Sequence, residues 1–228
     1  MADKFTIHRL LSLKKSTAER IENSIRAKGF IDIRQGRRDN VNGVPISKIE
    51  IDIKSRYQKI LALISNYEKI KSALLCSNSG IDPNAEIHRI EVAGKRYSMA
   101  ELISASDEIY GNKKHPNGFK SMFLIALRSS NTDAIQKIET QNQRVEDDIK
   151  DYLERSADSD KSMSADEIRK RSEIFHQDRD FSLIDPLDLK DKIDKLSMEI
   201  TNFREECDAA ISEHNALTTV EIDLTNID

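Results

Sequence analysis

The chain has 228 residues, enough to bury a hydrophobic core, and 33% of them are charged while only 5% are aromatic, with no Trp. It contains seven Gly and four Pro, few for the turns of a β-sandwich, a β-barrel or a nucleotide-binding α/β sheet of this length. At 38% hydrophobic residues it is too apolar for a disordered chain. The composition therefore predicts a mainly α fold.

The net charge of −4 is unevenly distributed along the chain. Residues 1–60 contain 14 Lys and Arg against 7 Asp and Glu, whereas residues 185–228 contain 4 against 12. This pattern favours attraction between basic N-terminal and acidic C-terminal helices, within a chain or between chains. A second hypothesis is a basic nucleic-acid face, which the lack of neighbouring aromatic residues disfavours. That basic patch would contain Lys14, Lys15, Arg34, Arg37 and Arg38.

Cysteine usage and hydropathy indicate the cellular compartment in which the protein is expected. Two cysteines, Cys76 and Cys207, do not make a disulfide framework, and we expect both to be reduced in a cytosolic compartment. The first five residues are polar and not followed by an apolar region, so no secretion signal is expected. The longest apolar run covers only residues 122–127, which predicts no membrane span.

The N-terminal elements follow from helical spacing and breaker residues. The first helix is predicted over residues 6–28, ending at Gly29, with one apolar face. Residues 30–34 alternate as a short strand, and residues 35–45 form a basic loop. A second helix is predicted over residues 47–76. The face of the first helix contains Ile7, Leu11, Ala18, Ile21 and Ile25.

The middle of the chain predicts a β-hairpin and a capped helix. Residues 86–98 alternate around an Ala93-Gly94 turn. Ser98 and Glu101 form a capping box at the start of a short helix, and a loop covers residues 111–118.

A third long helix is predicted over residues 119–156, with heptad spacing in its second half. Its packing seam contains Ile138, Asn142, Val145 and Ile149. Asn142 on this seam has two equally good interpretations: a buried amide that fixes helix register, or a solvated amide where the seam frays.

The C-terminal region begins after a polar linker at residues 157–163. Ser164 and Glu167 form a second capping box, opening a short helix to about residue 176. The last long helix is predicted from the Asp185-Pro186 pair to about residue 215, and residues 218–223 alternate as a terminal strand that could pair with residues 30–34. The heptad seam of this helix contains Leu189, Ile193, Leu196, Ile200, Phe203, Cys207 and Ala210.

The residue patterns do not indicate catalysis. None of the five histidines pairs with another at metal-binding helical spacing, and the lone Gly94-Lys95 is a hairpin turn rather than a phosphate loop. Neighbouring acidic pairs such as Asp147-Asp148 project in different directions and indicate solvated helix faces. We therefore predict a non-enzymatic chain without catalytic residues, cofactor or metal.

Three segments together resemble a family of tailed-bacteriophage proteins of similar length, most of them without assigned function. The segments are IEVAGKRYSMAELI at residues 90–103, DPLDLKDKI at residues 185–193 and SEHNALTTVEI at residues 212–222. The pattern of a helix followed by a short strand near the N-terminus is similar too. The resemblance covers nearly the whole chain and implies a phage origin and a helical fold. It implies no catalytic residues.

These observations combine into one expectation for fold and function. The fold is a mainly α, elongated antiparallel bundle or coiled coil with a small β element, in which a helical region of residues 1–156 and a C-terminal region of residues 164–228 pack as one domain. We expect a homo-oligomeric phage structural or assembly protein, whose assembly Phe203→Asp would abolish. The alternative is a host-directed protein that binds a bacterial factor, such as a defence protein; nucleic-acid binding is the weaker alternative. The expected location is the bacterial cytoplasm or the virion.

Overall fold

A computed structural model describes residues 4–79, 89–159 and 164–217, and the chain is mainly helical. The α-helices are α1 (Ile7–Arg26), α2 (Ile46–Ser79), α3 (Met99–Ser104), α4 (Phe119–Ser159), α5 (Ala165–Arg179) and α6 (Leu189–Leu217). Small antiparallel strand pairs accompany them, formed by β1 (Asp32–Gln35) with β6 (Phe181–Ile184), β2 (Asn40–Val41) with β3 (Val44–Pro45), and β4 (Ile90–Val92) with β5 (Lys95–Tyr97). The predicted fold class, mainly α with a small β element, is confirmed. None of the described helices is long and apolar enough to cross a membrane.

Contacts divide the chain into two compact units, each drawn from separate stretches of sequence. Unit 1 contains Met1–Glu19, Ile64–Met122 and Lys195–Asp228, and unit 2 contains Arg20–Leu63 and Phe123–Asp194. This division differs from the predicted boundary at residues 157–163. The first residues of that predicted linker belong to α4, which continues to Ser159, and its remaining residues, 160–163, lie outside the described residues.

In unit 2, a two-stranded sheet is formed by segments far apart in sequence. Asp32 pairs with Ile184 and Gln35 pairs with Phe181 in antiparallel register. The predicted partner of the first strand was the segment 218–223, which lies outside the described residues. The observed partner is β6, a segment to which the sequence patterns assigned no strand. Only tertiary packing selects the partner of an edge strand, because alternation specifies the face of a strand and not its neighbour.

The predicted loop at residues 35–45 contains a tight hairpin. Asn42 and Gly43 both have positive φ, 51° and 80°, as the two central residues of a type I′ turn require. Val41 pairs with Val44 across the turn, and α2 begins directly after β3.

Aromatic side chains form part of the core of unit 2. The rings of Phe30 and Tyr57 approach the ring of Phe123 with centroid separations of 5.5 Å and 5.4 Å. Further along α4, Tyr152 packs on Phe175 of α5 at 4.7 Å. Edge-to-face and tilted rings at these distances contribute about 0.5–1.5 kcal/mol per pair beyond their buried area.

In unit 1, two local predictions at the hairpin and the following helix are confirmed. Strands β4 and β5 pair across Ala93-Gly94, with Ile90 opposite Tyr97, while residues 86–88 of the predicted hairpin lie outside the described residues. Ser98 accepts a hydrogen bond from the backbone N–H of Glu101, whose side chain accepts one from the backbone N–H of Ser98. The same reciprocal capping opens α5, at Ser164 and Glu167.

The helix that Ser98 caps changes geometry after one turn and a half. Ala105–Tyr110 is a π-helical segment, which the sequence patterns do not predict. Such segments are rare and often occur at functional sites, because the wider turn re-aims the side chains that follow. Here the segment carries Glu108 and Tyr110.

The predicted apolar face of α1 is buried over only part of its length. Ile21 and Ile25 are buried in the core. Ile7 and Leu11 are about half exposed, at 49% and 53%. Helical spacing specifies that these residues share a stripe, but it does not specify how far the neighbouring helices extend along it.

Candidate functional site

Unit 1 contains a cleft of about 520 Å³, which we call the unit 1 cleft. The C-terminal half of α2, the β4–β5 hairpin, α3 and the π-helical segment supply its walls. Its volume is typical of sites that bind small molecules or short peptide segments. Apolar groups of Leu75, Ala105 and Ile109 line it together with charged side chains. The charged residues in the described part of its lining are Glu68, Lys69, Lys71, Arg89, Lys95, Arg96, Glu101 and Glu108.

Glu108 is a carboxylate of the cleft that is bonded to residues of α1 and α2. Tyr67 Oη donates to its Oε2 at 2.8 Å, and Lys71 Nζ donates to its Oε1 at 2.7 Å. Lys14 Nζ lies 3.6 Å from the same Oε1. Burial acts to raise the pKa of Glu108, but the bonds from Lys71 and Tyr67 outweigh it and lower that pKa. The carboxylate is therefore ionised at neutral pH and joins α1 and α2 to the π-helical segment.

The environment of Glu108 also shifts the pKa of its partners. Burial raises the pKa of Tyr67, and the hydrogen bond to the Glu108 carboxylate raises it further. Burial lowers the pKa of Lys14, as does the nearby ammonium of Lys71, while Glu108 acts in the opposite direction. Tyr67 is thus a neutral hydrogen-bond donor, as a structural role requires, rather than a phenolate ready for proton transfer.

Glu101 has a structural role at the start of α3. Its side chain accepts from the hydroxyl of Ser72 on α2 and from the backbone N–H of Ser98. Burial acts to raise the pKa of Glu101, but these hydrogen bonds and the charge of Arg89 lower it. One residue therefore both caps α3 and holds that helix against α2.

Glu68 leaves one carboxylate oxygen buried without a described partner. Glu68 Oε2 accepts from Lys95 Nζ at 3.2 Å, whereas Glu68 Oε1 is buried and has no hydrogen-bond partner among the described residues. The hydroxyl of Tyr97 is also buried, and its neighbour there is the side chain of Tyr110. Burial raises the pKa of Tyr97, and the charge of Glu68 contributes to the shift. Unpartnered buried polar atoms are uncommon and call for an explanation.

A buried polar network lies beside this cleft in unit 1. Lys120 is only 8% exposed, and its Nζ donates to Glu199 at 2.6 Å and to Tyr110 Oη at 3.0 Å. The ring of Tyr110 stacks on Phe203 with centroids 3.6 Å apart and planes 6° apart. Burial raises the pKa of Tyr110, and Glu199 adds to the effect. Arg204 caps the end of the π-helical segment by donating to the carbonyl oxygens of Tyr110 and Gly111 and to Ser121 Oγ.

The predicted seam of α6 lies largely within the core of a single chain. Phe203 is fully buried between Tyr110 and Tyr97, whose ring lies 6.1 Å away. Because Phe203 already has partners in its own chain, its replacement acts first on the fold, so the expectation that Phe203→Asp acts on assembly does not follow from this packing. Ala210 is half-buried. The buried seam residues are Leu189, Ile193, Leu196, Ile200, Phe203 and Cys207.

The predicted seam of α4 is only partly buried. Val145 and Ile149 are buried, while Ile138 is half-buried. Asn142 has a third role that neither interpretation included: its side-chain oxygen accepts from the N–H of Phe181 at 2.7 Å, and its nitrogen donates to the carbonyl of Phe181 at 3.2 Å. The amide therefore fixes the start of β6 against α4.

The five residues of the predicted basic patch are divided between the two units. Lys14 and Lys15 belong to unit 1, and Arg34, Arg37 and Arg38 belong to unit 2. Lys14 forms an ion pair with Glu108, while Arg34 donates to Ser182 and Arg37 to Gln177. Several of these cations thus have partners inside the fold, which weakens the case for a phosphate-binding surface.

Sequence reasoning missed the residues that meet in the unit 1 cleft. Tyr67 and Lys71 are spaced i, i+4 on α2, and this spacing indicates a shared helix face. The prediction that Glu101 caps a helix is confirmed, and Tyr67 is buried in the core. No sequence pattern indicates a role for Glu108. It reaches its partners only because the π-helical turn and the return of the chain bring it close to α2.

The described side chains form no group of three or more His, Cys, Asp and Glu residues that could hold a metal ion. The unit 1 cleft is lined by polar, charged and apolar side chains. Comparison with protein-family models, curated proteins and solved structures finds no match to this chain.

Proposed function

We propose that this chain is a non-enzymatic protein that acts in the structure or assembly of a tailed-bacteriophage particle, through helical surfaces that contact other proteins. The observation that carries the protein-contact part of the proposal is the exposed half of the α1 stripe. Ile7 and Leu11 are spaced i, i+4 and are about half exposed, next to Phe5 at 40%. Clustered apolar side chains on a helix surface are typical of protein–protein contact sites. The phage part of the proposal depends on the sequence resemblance described above.

The bonding of the cleft carboxylates supports a binding role over a catalytic one. A general acid or base needs a free proton-transfer position and a pKa near the working pH. Glu101 and Glu108 have lowered pKa values, and both accept hydrogen bonds from neighbours in the fold. They contribute to holding the walls of the cleft in place.

Quantitative mass spectrometry of purified particles of the source virus tests the phage assignment. We expect many copies of the chain per particle. Absence from particles, with abundant protein in infected cells, would contradict a structural role. A pull-down would then test the alternative of a protein that binds a bacterial host factor.

The α1 surface is tested separately with purified protein. We expect an Ile7→Glu, Leu11→Glu variant to stay folded, because both side chains are exposed, and to lose the protein contact. Light scattering reports a contact between copies, and co-purification with particle proteins reports a contact with another partner. Ile174→Glu on α5 is the matched control, because Ile174 is 58% exposed and belongs to unit 2. Retention of every contact by the α1 variant would contradict the proposed surface.

A further inference from the structure

We propose that the α1 surface, formed by Phe5, Ile7 and Leu11, binds an acidic amphipathic helix of a partner protein. This inference rests on the proposed function, because it takes the α1 surface to be a protein contact and adds the chemistry of the partner. Three features support it: an apolar row that is open to solvent, exposed positive charges beside that row, and a stretch of sequence without acidic residues.

The first turns of α1 present an apolar row that ends in a positive charge. Ile7, Leu11 and Lys15 follow one another at i, i+4 and i+8, so they lie in one row along the helix. Ile7 and Leu11 are 49% and 53% exposed, and Lys15 is exposed as well. A partner helix that covers this row buries apolar side chains at one end and meets an ammonium group at the other.

The stretch of sequence that carries this row is basic. Residues 4–18 contain four Lys and Arg residues and no Asp or Glu. Lys14 forms an ion pair with Glu108, so its charge is offset within the chain. The other three, Lys4, Arg9 and Lys15, are exposed. These exposed charges favour acidic groups over basic ones in a partner, and they speed the association of an acidic partner with the surface.

The start of α1 adds to this preference for acidic groups. The hydroxyl of Thr6 accepts from the backbone N–H of Arg9 at 3.3 Å, and the first turn of α1 contains no acidic residue. The partial positive charge of the helix N-terminus is therefore not offset by a carboxylate in that turn. The guanidinium of Arg9 lies over the ring of Phe5, 4.9 Å from its centroid, so a partner that covers Phe5 also meets a cation.

The packing of α1 in unit 1 favours a protein helix over a lipid surface as the partner. A helix that lies in a membrane surface buries a broad apolar face in the lipid. In α1, Leu10 and Leu13 are half-buried and Thr17 is buried. Lys14 pairs with Glu108, so this side of the helix packs on its own chain. The apolar part that remains exposed is a narrow row, which fits the apolar stripe of one partner helix.

The proposal is tested by fluorescence anisotropy with a fluorescein-labelled peptide of Leu, Ala and Glu that forms an amphipathic helix. We expect saturable binding to the full-length chain, which weakens as the NaCl concentration rises because exposed charges are screened. A Lys4→Glu, Lys15→Glu variant should weaken binding by about tenfold or more, the equivalent of about 1.4 kcal/mol. An Ile7→Ser, Leu11→Ser variant should weaken it as well, because the apolar row is lost while the charges remain.

The matched control for the charge variant is Lys113→Glu, Lys114→Glu. It changes the net charge by the same amount at two exposed positions elsewhere in unit 1 and should leave the affinity unchanged. Circular dichroism checks that each variant is folded and that the peptide is helical.

Several outcomes would overturn the proposal. Equal affinity for the same peptide with Gln in place of Glu would show that negative charge is not recognised, and would leave the α1 surface as a protein contact without charge preference. Unchanged affinity in either α1 variant, or an equal loss in the control, would place the peptide elsewhere. Binding to phosphatidylglycerol vesicles that both α1 variants lose, without peptide binding, would assign the surface to lipid. Failure to bind the peptide at all would refute the acidic helix as partner, while co-purification with particle proteins tests the contact itself, so the two proposals can fail separately.

Discussion

Replacing Phe203 by Ala is expected to destabilise the fold of a single chain. The side chain is fully buried, its ring stacks on Tyr110 at 3.6 Å, and a second ring, that of Tyr97, lies 6.1 Å away at an interplanar angle of 78°. A buried Phe→Ala replacement costs about 3–5 kcal/mol, because apolar contacts are lost and a cavity remains. Since a domain is typically stable by about 5–15 kcal/mol, the variant should remain folded in water but unfold at a clearly lower urea concentration.

The assay is urea unfolding followed by circular dichroism at two chain concentrations, with the mass in solution from light scattering. Met198→Ala on the same helix is the matched control: Met198 is 65% exposed, so its loss should change the free energy of unfolding by less than about 0.5 kcal/mol. If Phe203→Ala lowered the free energy of unfolding by less than about 1 kcal/mol, the packing argument would be refuted. So would a lower mass with an unchanged free energy of unfolding, because the seam would then act between chains.

Three further predictions concern single contacts. Asn142→Ala removes both hydrogen bonds to Phe181 and should lower the free energy of unfolding in urea by about 1–3 kcal/mol. An unchanged free energy of unfolding would mean that water replaces the amide. Gly36→Ala should destabilise unit 2 strongly, since Gly36 has φ +54° and an added Cβ would lie 2.1 Å from the backbone oxygen of Asp178; normal soluble expression with unchanged thermal unfolding would contradict this clash. Glu108 has a lowered pKa in the folded chain, so its contribution to stability is present above the ordinary value of 4.5 and is lost as the pH falls through the lower folded-state value. Glu108→Gln should therefore flatten the decrease in stability on acidification, and an unchanged pH profile of thermal unfolding would refute that assignment.

Local elements could be predicted from the sequence because their signals are local. The capping boxes at Ser98 and Ser164 need only residues three positions apart. The hairpin at Ala93-Gly94 needs only a turn between two alternating segments. The burial of Leu189 and Phe203 followed from a heptad pattern along one helix.

The candidate site could not be predicted in the same way, because its residues meet only through chain reversal. Tyr67 and Glu108 are 41 residues apart and come together across α2 and the π-helical segment. The unpartnered oxygen of Glu68 is defined by what surrounds it, and periodicity carries no information about surroundings.

The sequence by itself determined the helical class, the caps, the turns and the face on which most core residues of α6 lie, since each depends on backbone preferences and spacing within one segment. Tertiary structure alone decided that β1 pairs with β6, that Asn142 holds Phe181, that the stripe of α1 is exposed at Ile7, and that charges converge in the unit 1 cleft. The physical reason is that these features are relations between distant segments. Their free energies come from burial and pairing that exist only after the chain has folded.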